Sequence, residues 1–177
     1  LANNLPRYGI TTTFVTDPTD GAQWETATNE RTIAFFAETI PNPKNDFLDI
    51  ESVAEVAKRV GVPFIVDNTV ATPYLTRPLE WGADIVVHSA SKYLCGHGNS
   101  IQGVIVDGGS FDWGANPERF PQFNQPDPSY HGLVYKDLGE AAFITKARVQ
   151  GLRDFGFAAS PFNSFLVNIG IETLSLR

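Results

Sequence analysis

The sequence predicts an α/β fold with a doubly wound, mainly parallel sheet. Short β-branched and aromatic runs alternate with helical patterns from residue 10 to about residue 106, as in such sheets. Two of these runs stop abruptly at ionisable or hydroxyl side chains. Open α/β sheets bind their ligands at the carboxyl ends of the strands, so we expect a ligand site along one edge.

The first part of the chain supplies the strand and helix patterns that start this alternation. Residues 10–15 form a β-branched strand candidate, residues 22–29 a short helix and residues 32–37 a second strand. The clearest helix follows Asp49, which is placed to cap it, and ends at Gly61. Apolar residues recur between them at helical spacing, so one face of this helix is expected to be buried.

Three further strand candidates follow, and then the amino-acid composition of the chain changes. The strands are expected at residues 63–66, 84–88 and 103–106, with a brief helical turn at 78–81. Residues 107–128 are rich in Gly, Pro, Asp and aromatic residues. This pattern indicates a long irregular insertion that its aromatic side chains order.

Helical periodicity resumes after the insertion. It extends over residues 138–152 and again from Pro161 onward, and Ser160 is placed to cap the second helix.

Polar side chains lie where two neighbouring strands end. Asp67 closes the strand Phe-Ile-Val-Asp, and Ser89, Ser91 and Lys92 follow the strand Ile-Val-Val-His. A buried lysine, a carboxylate and two hydroxyls suit an aldehyde cofactor that carries a phosphate. Pyridoxal phosphate needs an amine for its aldehyde, a carboxylate for its ring nitrogen and donors for its phosphate. We expect Lys92, Asp67 and the pair Ser89 and Ser91 to fill these roles.

Each of these residues also has an ordinary structural interpretation. A lysine after a strand is usually a solvated loop residue, and the sequence Asp67-Asn68-Thr69 is typical of a turn or a helix cap. The combination at adjacent strand ends is what favours a cofactor site.

The motifs in this region resemble a known family. The runs Val66-Asp67-Asn68-Thr69, Ala71-Thr72-Pro73-Tyr74, Gly82-Ala83-Asp84, Ser89-Ala90-Ser91-Lys92-Tyr93 and Gly96-His97-Gly98 resemble the Cys/Met-metabolism family of pyridoxal-phosphate enzymes, of fold type I. The resemblance extends from Glu38-Thr39 and Asn42-Pro43 to Ser160-Pro161-Phe162 and covers nearly the whole chain.

The resemblance implies further properties of the site and of the protein. It implies a catalytic role for Lys92, and contact of Asn42 with the cofactor and the substrate carboxylate. It places Glu38 at the substrate end. A cytoplasmic homo-oligomer in methionine biosynthesis and transsulfuration is also implied, with a small-molecule substrate.

The segment Pro128-Ser-Tyr-His-Gly132, with the insertion before it, resembles the sulfhydrylase branch of this family. That branch implies O-acetylhomoserine as substrate and sulfide or a small thiol as second reactant. The alternative within the family is a cystathionine synthase or a cystathionine or methionine lyase.

Two alternatives lie outside this chemistry. Ser89-Ala-Ser-Lys92 matches the Ser-x-x-Lys pattern of serine acylases, but that motif belongs at the start of a helix, and no Ser-Asp-Asn or Lys-Thr-Gly partner is present. The other alternative is a structural core without activity of its own.

Composition excludes several partner classes. The chain is 42% hydrophobic and 19% charged, and no apolar run approaches the length of a membrane span. A net charge of -7 disfavours a nucleic-acid backbone as partner. The one cysteine, Cys95, cannot form an internal disulfide, and the three histidines are too irregularly spaced to predict a metal site.

The sequence also suggests a domain division. We expect residues 1–152 to form the central part of the cofactor-binding domain, and residues 153–177 to begin the connection into a C-terminal domain. Residue 1 is not methionine, and the last residues have the pattern of an amphipathic helix. We therefore expect the chain to be the middle of a longer enzyme, since members of the family extend further on both sides.

Overall fold

The fold is centred on a four-stranded sheet. The structure, a computed structural model, describes residues 1–177. The strands are β1 (Phe35–Glu38), β2 (Phe64–Asp67), β3 (Ile85–Ser89) and β4 (Gly103–Asp107). They are ordered β1-β2-β3-β4, and β1, β2 and β3 run parallel. Only β4 runs antiparallel, to β3. The predicted mainly parallel α/β sheet is therefore confirmed.

The connections explain these strand directions. A parallel neighbour needs a crossover, and helices lie between β1 and β2 and between β2 and β3. Residues 90–102, between β3 and β4, form turns without a helix, so the chain returns beside β3 in the opposite direction.

Helices precede, separate and follow the strands. The α-helices are α1 (Gly21–Thr26), α2 (Ile50–Val60), α3 (Thr72–Leu75), α4 (Pro121–Asn124), α5 (Ala142–Lys146) and α6 (Pro161–Ile171). Short 3₁₀ segments occupy Leu5–Tyr8, Pro78–Trp81, Tyr135–Ala141 and Leu174–Leu176, and α5 continues as a π-helical stretch over Ala147–Asp154. None of the helices combines the length and apolar character needed to cross a bilayer.

Helix α2 forms as its sequence predicts. The Asp49 side chain accepts a hydrogen bond from the backbone N–H of Ser52 at 3.1 Å, which satisfies one free donor of the first turn. Gly61 ends the helix with φ of 72°, a left-handed conformation that glycine adopts without steric cost. The buried face of α2 then packs on the sheet through Val53, Val56 and Ala57.

The sheet separates two hydrophobic clusters. On one face, Phe64, Val66 and Val86 contact residues of α1 and α2. On the other face, Ile85 packs against the aromatic side chains of the insertion and against residues of α5 and its π-helical extension; the buried members there are Trp113, Phe120, Phe123, Tyr135, Ala142 and Val149. Helical and irregular segments therefore cover both faces, as expected for a doubly wound sheet.

Three local predictions are wrong. Residues 10–15 are not a strand, because no neighbouring strand pairs with them and a β-branched run without a partner gains little from extension. The helix expected from residue 138 is interrupted at Gly139, whose φ is 57°, and becomes an α-helix only at Ala142. Ser160 does not cap α6 with its side chain; its carbonyl accepts from Ser164 N–H at 2.9 Å instead.

Candidate functional site

The carboxyl ends of the three parallel strands form a polar edge. Glu38, Asp67 and Ser89 are the last residues of β1, β2 and β3. Glu38 is paired in register with Asp67, and Asp67 with Val87. Side chains two residues apart on a strand share a face, so these three side chains lie on the face that Val87 also occupies.

A threonine that the sequence analysis did not single out joins two of these strand ends. The Thr69 backbone N–H donates to Asp67 Oδ1 at 2.9 Å, and the Thr69 hydroxyl donates to the same oxygen. The Thr69 hydroxyl also accepts from the backbone N–H of Ser89 at 2.7 Å. Thr69 therefore fixes the Asp67 carboxylate relative to the end of β3. Its sequence signal is the Asp-x-Thr spacing of a side-chain-stabilised turn.

Two polar groups at this edge remain available to a ligand. Asp67 uses Oδ1 for both bonds to Thr69, whereas Oδ2 makes no hydrogen bond within the protein. The Ser89 hydroxyl also makes none; only its backbone N–H is engaged. The edge therefore presents a free carboxylate oxygen and a free hydroxyl.

Lys92 lies one turn beyond the end of β3. Its backbone N–H donates to the Ser89 carbonyl at 3.0 Å, which folds the chain back toward the strand end. Its side chain is exposed, so the expectation of a buried lysine is wrong for this chain. The residues that follow β3 form turns at the surface, and no element of the chain covers this amine.

Ser91 is held more firmly than Ser89. The Ser91 hydroxyl accepts from the backbone N–H of Gln102 at 2.9 Å and donates to the Gln102 carbonyl at 3.3 Å. Donation to a phosphate therefore requires the Ser91 hydroxyl to release the longer of these bonds. Gln102 is a second residue that the sequence analysis did not identify, and nothing in its local sequence signals the contact.

The structure does not bring Asn42 into this hydrogen-bond network. Asn42 lies in the turn after β1, is exposed and makes no side-chain hydrogen bond. The turn itself is anchored to the site, because the Thr39 N–H donates to the Asp67 carbonyl at 3.0 Å. Glu38 is likewise exposed, one strand away from Asp67.

A histidine and an asparagine, next to Ser89 and Asp67 in the chain, have buried polar atoms without a hydrogen-bond partner. His88 precedes Ser89 and its side chain is buried; burial lowers its pKa, which favours the neutral imidazole at pH 7. His88 Nδ1 and Asn68 Oδ1 are both buried without a hydrogen-bond partner. Asn68 is otherwise anchored by its amide, which donates to the Thr76 carbonyl at 2.9 Å.

The free groups at the edge fit the cofactor that the sequence suggested. Pyridoxal phosphate presents a cationic ring nitrogen, a phosphate and an aldehyde, which call for a carboxylate, hydroxyl or N–H donors and an amine. The chain offers Asp67 Oδ2, the Ser89 hydroxyl and the exposed Lys92 amine from the ends of two adjacent strands. Each kind of group that this cofactor calls for is therefore present at the strand ends.

Comparisons with known proteins agree with these observations. The Cys/Met metabolism PLP-dependent enzyme family matches residues 1–177. An O-acetyl-L-homoserine sulfhydrylase from Leptospira meyeri is 53% identical over an alignment of 186 residues that covers 100% of this chain and 41% of that protein. The chain therefore spans about two-fifths of the length of this relative.

Two crystal structures resemble the fold closely. An O-acetylhomoserine (thiol)-lyase from Campylobacter jejuni, which carries N'-pyridoxyl-lysine-5'-monophosphate, superposes with a TM-score of 0.91 at 36% identity, covering 99% of this chain and 43% of that one. A cystathionine gamma-lyase from Lactobacillus plantarum has a TM-score of 0.70 at 32% identity, covering 98% and 37%. The family match over the whole chain, supported by these structures, establishes that the chain belongs to the Cys/Met metabolism family of PLP-dependent enzymes.

Proposed function

We propose that the protein replaces the acetate of O-acetylhomoserine with sulfide or a small thiol, using pyridoxal phosphate. The products are acetate and homocysteine, or methionine when the thiol is methanethiol. The observation that carries this proposal is the strand-end arrangement in which Thr69 ties the Asp67 carboxylate to the end of β3, with Lys92 one turn beyond. The sulfhydrylase from Leptospira, 53% identical, supports the choice of substrate.

The residues of the polar edge have distinct roles in this proposal. When bound, pyridoxal phosphate supplies an electron sink for carbanion chemistry. Lys92 would provide the amine that holds the cofactor aldehyde, and its free amine would move protons at the α and β carbons of the substrate. Asp67 holds its negative charge beside the ring nitrogen and keeps that nitrogen protonated.

The remaining residues bind and orient. The hydroxyls of Ser89 and Ser91 donate to the phosphate, with Ser91 turning from Gln102 to do so. Asn42 contacts the cofactor and the substrate carboxylate, and Glu38 lines the substrate end. Asn42 is free of other side-chain hydrogen bonds, which leaves its amide available for this contact.

The proposal extends to the organisation of the protein. Residues 1–152 form the central part of the cofactor-binding domain, and residues 153–177 begin the connection into a further domain. The exposed side chain of Lys92 supports a contribution from a further part of the protein, because a covalently bound cofactor needs shielding from water. A cytoplasmic homo-oligomer is the assembly that we propose.

A lysine substitution tests the assignment of the amine. In the complete protein, Lys92→Ala is expected to abolish turnover and the visible absorbance of the lysine-linked cofactor, because residues 90–102 contain no other lysine. Lys58→Ala is the matched control, since Lys58 is an exposed lysine on α2. Near-normal turnover by Lys92→Ala would contradict the proposal.

The second reactant separates this function from its alternative. The structural likeness to a cystathionine gamma-lyase favours, as second candidate, a cystathionine synthase or a lyase with the same cofactor. We expect sulfide to support faster consumption of O-acetylhomoserine than cysteine does. A preference for cysteine as acceptor would identify a cystathionine synthase, and cleavage of cystathionine without an acceptor would identify a lyase.

A further inference from the structure

The segment that carries Lys92 has little regular structure of its own. We call residues 90–102, between β3 and β4, the lysine loop. Its internal hydrogen bonds form turns: the Cys95 N–H donates to the Ala90 carbonyl at 2.9 Å, and the Gly96 N–H donates to the Lys92 carbonyl at 2.7 Å. A loop without a helix or a ladder depends on its neighbours for a fixed conformation.

Helix α6 lies directly against this loop. Val167 of α6 packs in one buried cluster with Ala90, Leu94 and Cys95. Gly170 approaches the Cys95 backbone so closely that any side chain at residue 170 would overlap the Cys95 carbonyl group. The two segments therefore contact each other backbone to backbone, on the side of the loop that follows Lys92.

Polar contacts anchor the far end of the loop to the start of α6. The Ser164 hydroxyl donates to Gln102 Oε1 at 3.2 Å, and the Asn163 amide donates to the Ile101 carbonyl at 2.9 Å. Gln102 is also the residue whose backbone holds Ser91. This anchor restrains residues 100–102 and Ser91.

Arg177 forms a second, separate anchor near Lys92. Its Nη2 donates to the Tyr93 carbonyl at 3.0 Å and to the Gly170 carbonyl at 2.7 Å. The guanidinium lies against Gly96, where a side chain would overlap it. Arg177 has no carboxylate partner among the ion pairs of the chain. Its guanidinium donates hydrogen bonds to these two carbonyls and to the Thr173 hydroxyl.

We propose that Arg177 is a positioning residue for Lys92. It binds the carbonyl of the residue after Lys92 and fills the space beside Gly96, whose N–H closes the turn on the Lys92 carbonyl. The proposal rests on the proposed function for the role of Lys92 itself. The competing structural role is a cap of α6 alone, through the Gly170 carbonyl, because cationic side chains commonly satisfy the last carbonyls of a helix.

Hydrogen exchange in the cofactor-free complete protein tests the contact without any catalytic readout. Arg177→Gln removes the guanidinium group, a charged fork of N–H donors. We expect amide exchange in residues 93–96 to become about tenfold faster, because charge-assisted hydrogen bonds are lost. Arg177→Lys, which keeps the charge but not the fork, should give partial rescue. Arg59→Gln is the matched control. Arg59 is an exposed arginine of α2, and its one ion pair is with Glu25 of α1.

The loaded enzyme supplies the second readout. The visible absorbance and circular dichroism of the lysine-linked cofactor report how the amine is oriented, so we expect Arg177→Gln to change both and to lower kcat while leaving KM for the substrate within about twofold. Ser164→Ala removes a side-chain contact of the other anchor. It should speed exchange at residues 100–102 and leave residues 93–96 unchanged.

The outcomes separate the two roles of Arg177. Faster exchange confined to residues 165–173, with normal exchange at 93–96 and a normal cofactor spectrum, means that Arg177 only caps α6 and overturns the proposal. If Arg177→Gln does not fold, wild-type exchange at 93–96 in Arg177→Lys overturns it equally. Failure of the proposed function is a different result, because it is read from Lys92→Ala, whereas the exchange experiment contains no cofactor.

Discussion

A single hydroxyl organises the candidate site at the scale of residues. Thr69 donates to Asp67 and accepts from the Ser89 N–H, so it adds a side-chain link between the ends of β2 and β3. The hydroxyl donates its one proton and accepts at one of its two lone pairs. The Asp67 carboxylate therefore has one fixed orientation before any ligand binds, which lowers the ordering cost of binding.

Thr69 gives the sharpest substitution test of this organisation. Thr69→Val keeps the shape but loses the hydroxyl, which leaves the Ser89 N–H without its partner, a loss that costs about 1–2 kcal/mol. We expect the Kd for pyridoxal phosphate of the complete protein to rise about tenfold, whereas Thr69→Ser should remain close to wild type. Absorbance titration of the cofactor-free protein measures both. An unchanged Kd in Thr69→Val would show that the bridge does not orient Asp67.

The sequence was sufficient for some residues of the site and not for others. Asp67 and Ser89 could be predicted because a strand that ends in a polar side chain is a local signal. The bond between Thr69 and Ser89 and the bonds between Ser91 and Gln102 could not, since these partners are 20 and 11 residues apart and the contacts depend on the register of the folded sheet. The turn that joins Thr69 to Asp67, in contrast, has the local Asp-x-Thr signal. The exposure of Lys92 agrees with the ordinary structural interpretation of a lysine after a strand, whereas the cofactor interpretation called for a buried lysine.

The insertion shows how an irregular element becomes ordered. Trp113 and Phe123 stack with ring centroids 3.9 Å apart, and the Tyr135 hydroxyl donates to Asp127 Oδ2 at 2.7 Å. Burial, with Asp127 nearby, raises the pKa of Tyr135 to about 12. Hydrogen bonds from Ser129 and Tyr135 lower the pKa of Asp127 to about 2. Aromatic packing and one charged hydrogen bond thus replace regular secondary structure.

These two pKa shifts make the free energy of unfolding depend on pH, with one loss of stability at alkaline pH and another at acidic pH. The tyrosine pKa is raised on folding, so its contribution to stability is present below pH 10.0 and is lost as the pH rises toward about 12. The aspartate pKa is lowered, so its contribution is present above pH 3.8 and is lost as the pH falls toward about 2. Urea unfolding across these ranges should show both losses.

Tyr135→Phe tests whether the Tyr135–Asp127 pair causes both losses of stability. The variant should lack the alkaline loss entirely and show a weaker acid loss, because Asp127 keeps only its bonds to Ser129 and the attraction of Lys146. Tyr130→Phe is the matched control, since the Tyr130 hydroxyl makes no hydrogen bond. Parallel pH profiles for wild type and Tyr135→Phe would show that this pair does not stabilise the insertion.

Helix α2 was the best predicted element because its signals are local. Its cap, apolar stripe and glycine stop all lie within the helix or next to it, whereas the fate of residues 10–15 depended on whether a partner strand existed.

Removing the cap of α2 should therefore have a defined cost. Asp49→Ala should lower the free energy of unfolding by about 1 kcal/mol, the usual value of a side-chain N-cap. Asp46→Ala, at an exposed carboxylate without a hydrogen bond, is the control. Equal midpoints of urea denaturation for the two variants would show that the cap contributes nothing.

At the scale of the whole molecule, stability and ligand binding are divided between different parts of the sheet. The two hydrophobic clusters of the sheet occupy its faces, while the polar groups of the candidate site lie at the carboxyl ends of the strands. A ligand at this edge adds contacts between strand ends that the clusters do not provide.

Cofactor binding should therefore raise the thermal stability of the complete protein. A ligand that binds only the folded state adds about 2.7 kcal/mol at a hundredfold excess over its Kd. We expect pyridoxal phosphate to raise Tm by several degrees, and pyridoxine, which lacks the aldehyde and the phosphate, to leave Tm unchanged. Differential scanning calorimetry measures Tm in the presence of each compound. Equal shifts for both compounds would contradict a site built on Lys92, Ser89 and Ser91.

The reversed direction of β4 has a consequence for how this protein can change over evolution. Because Asp107 is paired with Ile85, at the amino end of β3, the chain leaves the sheet on the border remote from Lys92. The segment that follows Asp107 begins at that border of the sheet. A change in the length of that segment would therefore leave the strand ends that carry Asp67 and Ser89 as they are, so the segment and the candidate site can vary independently.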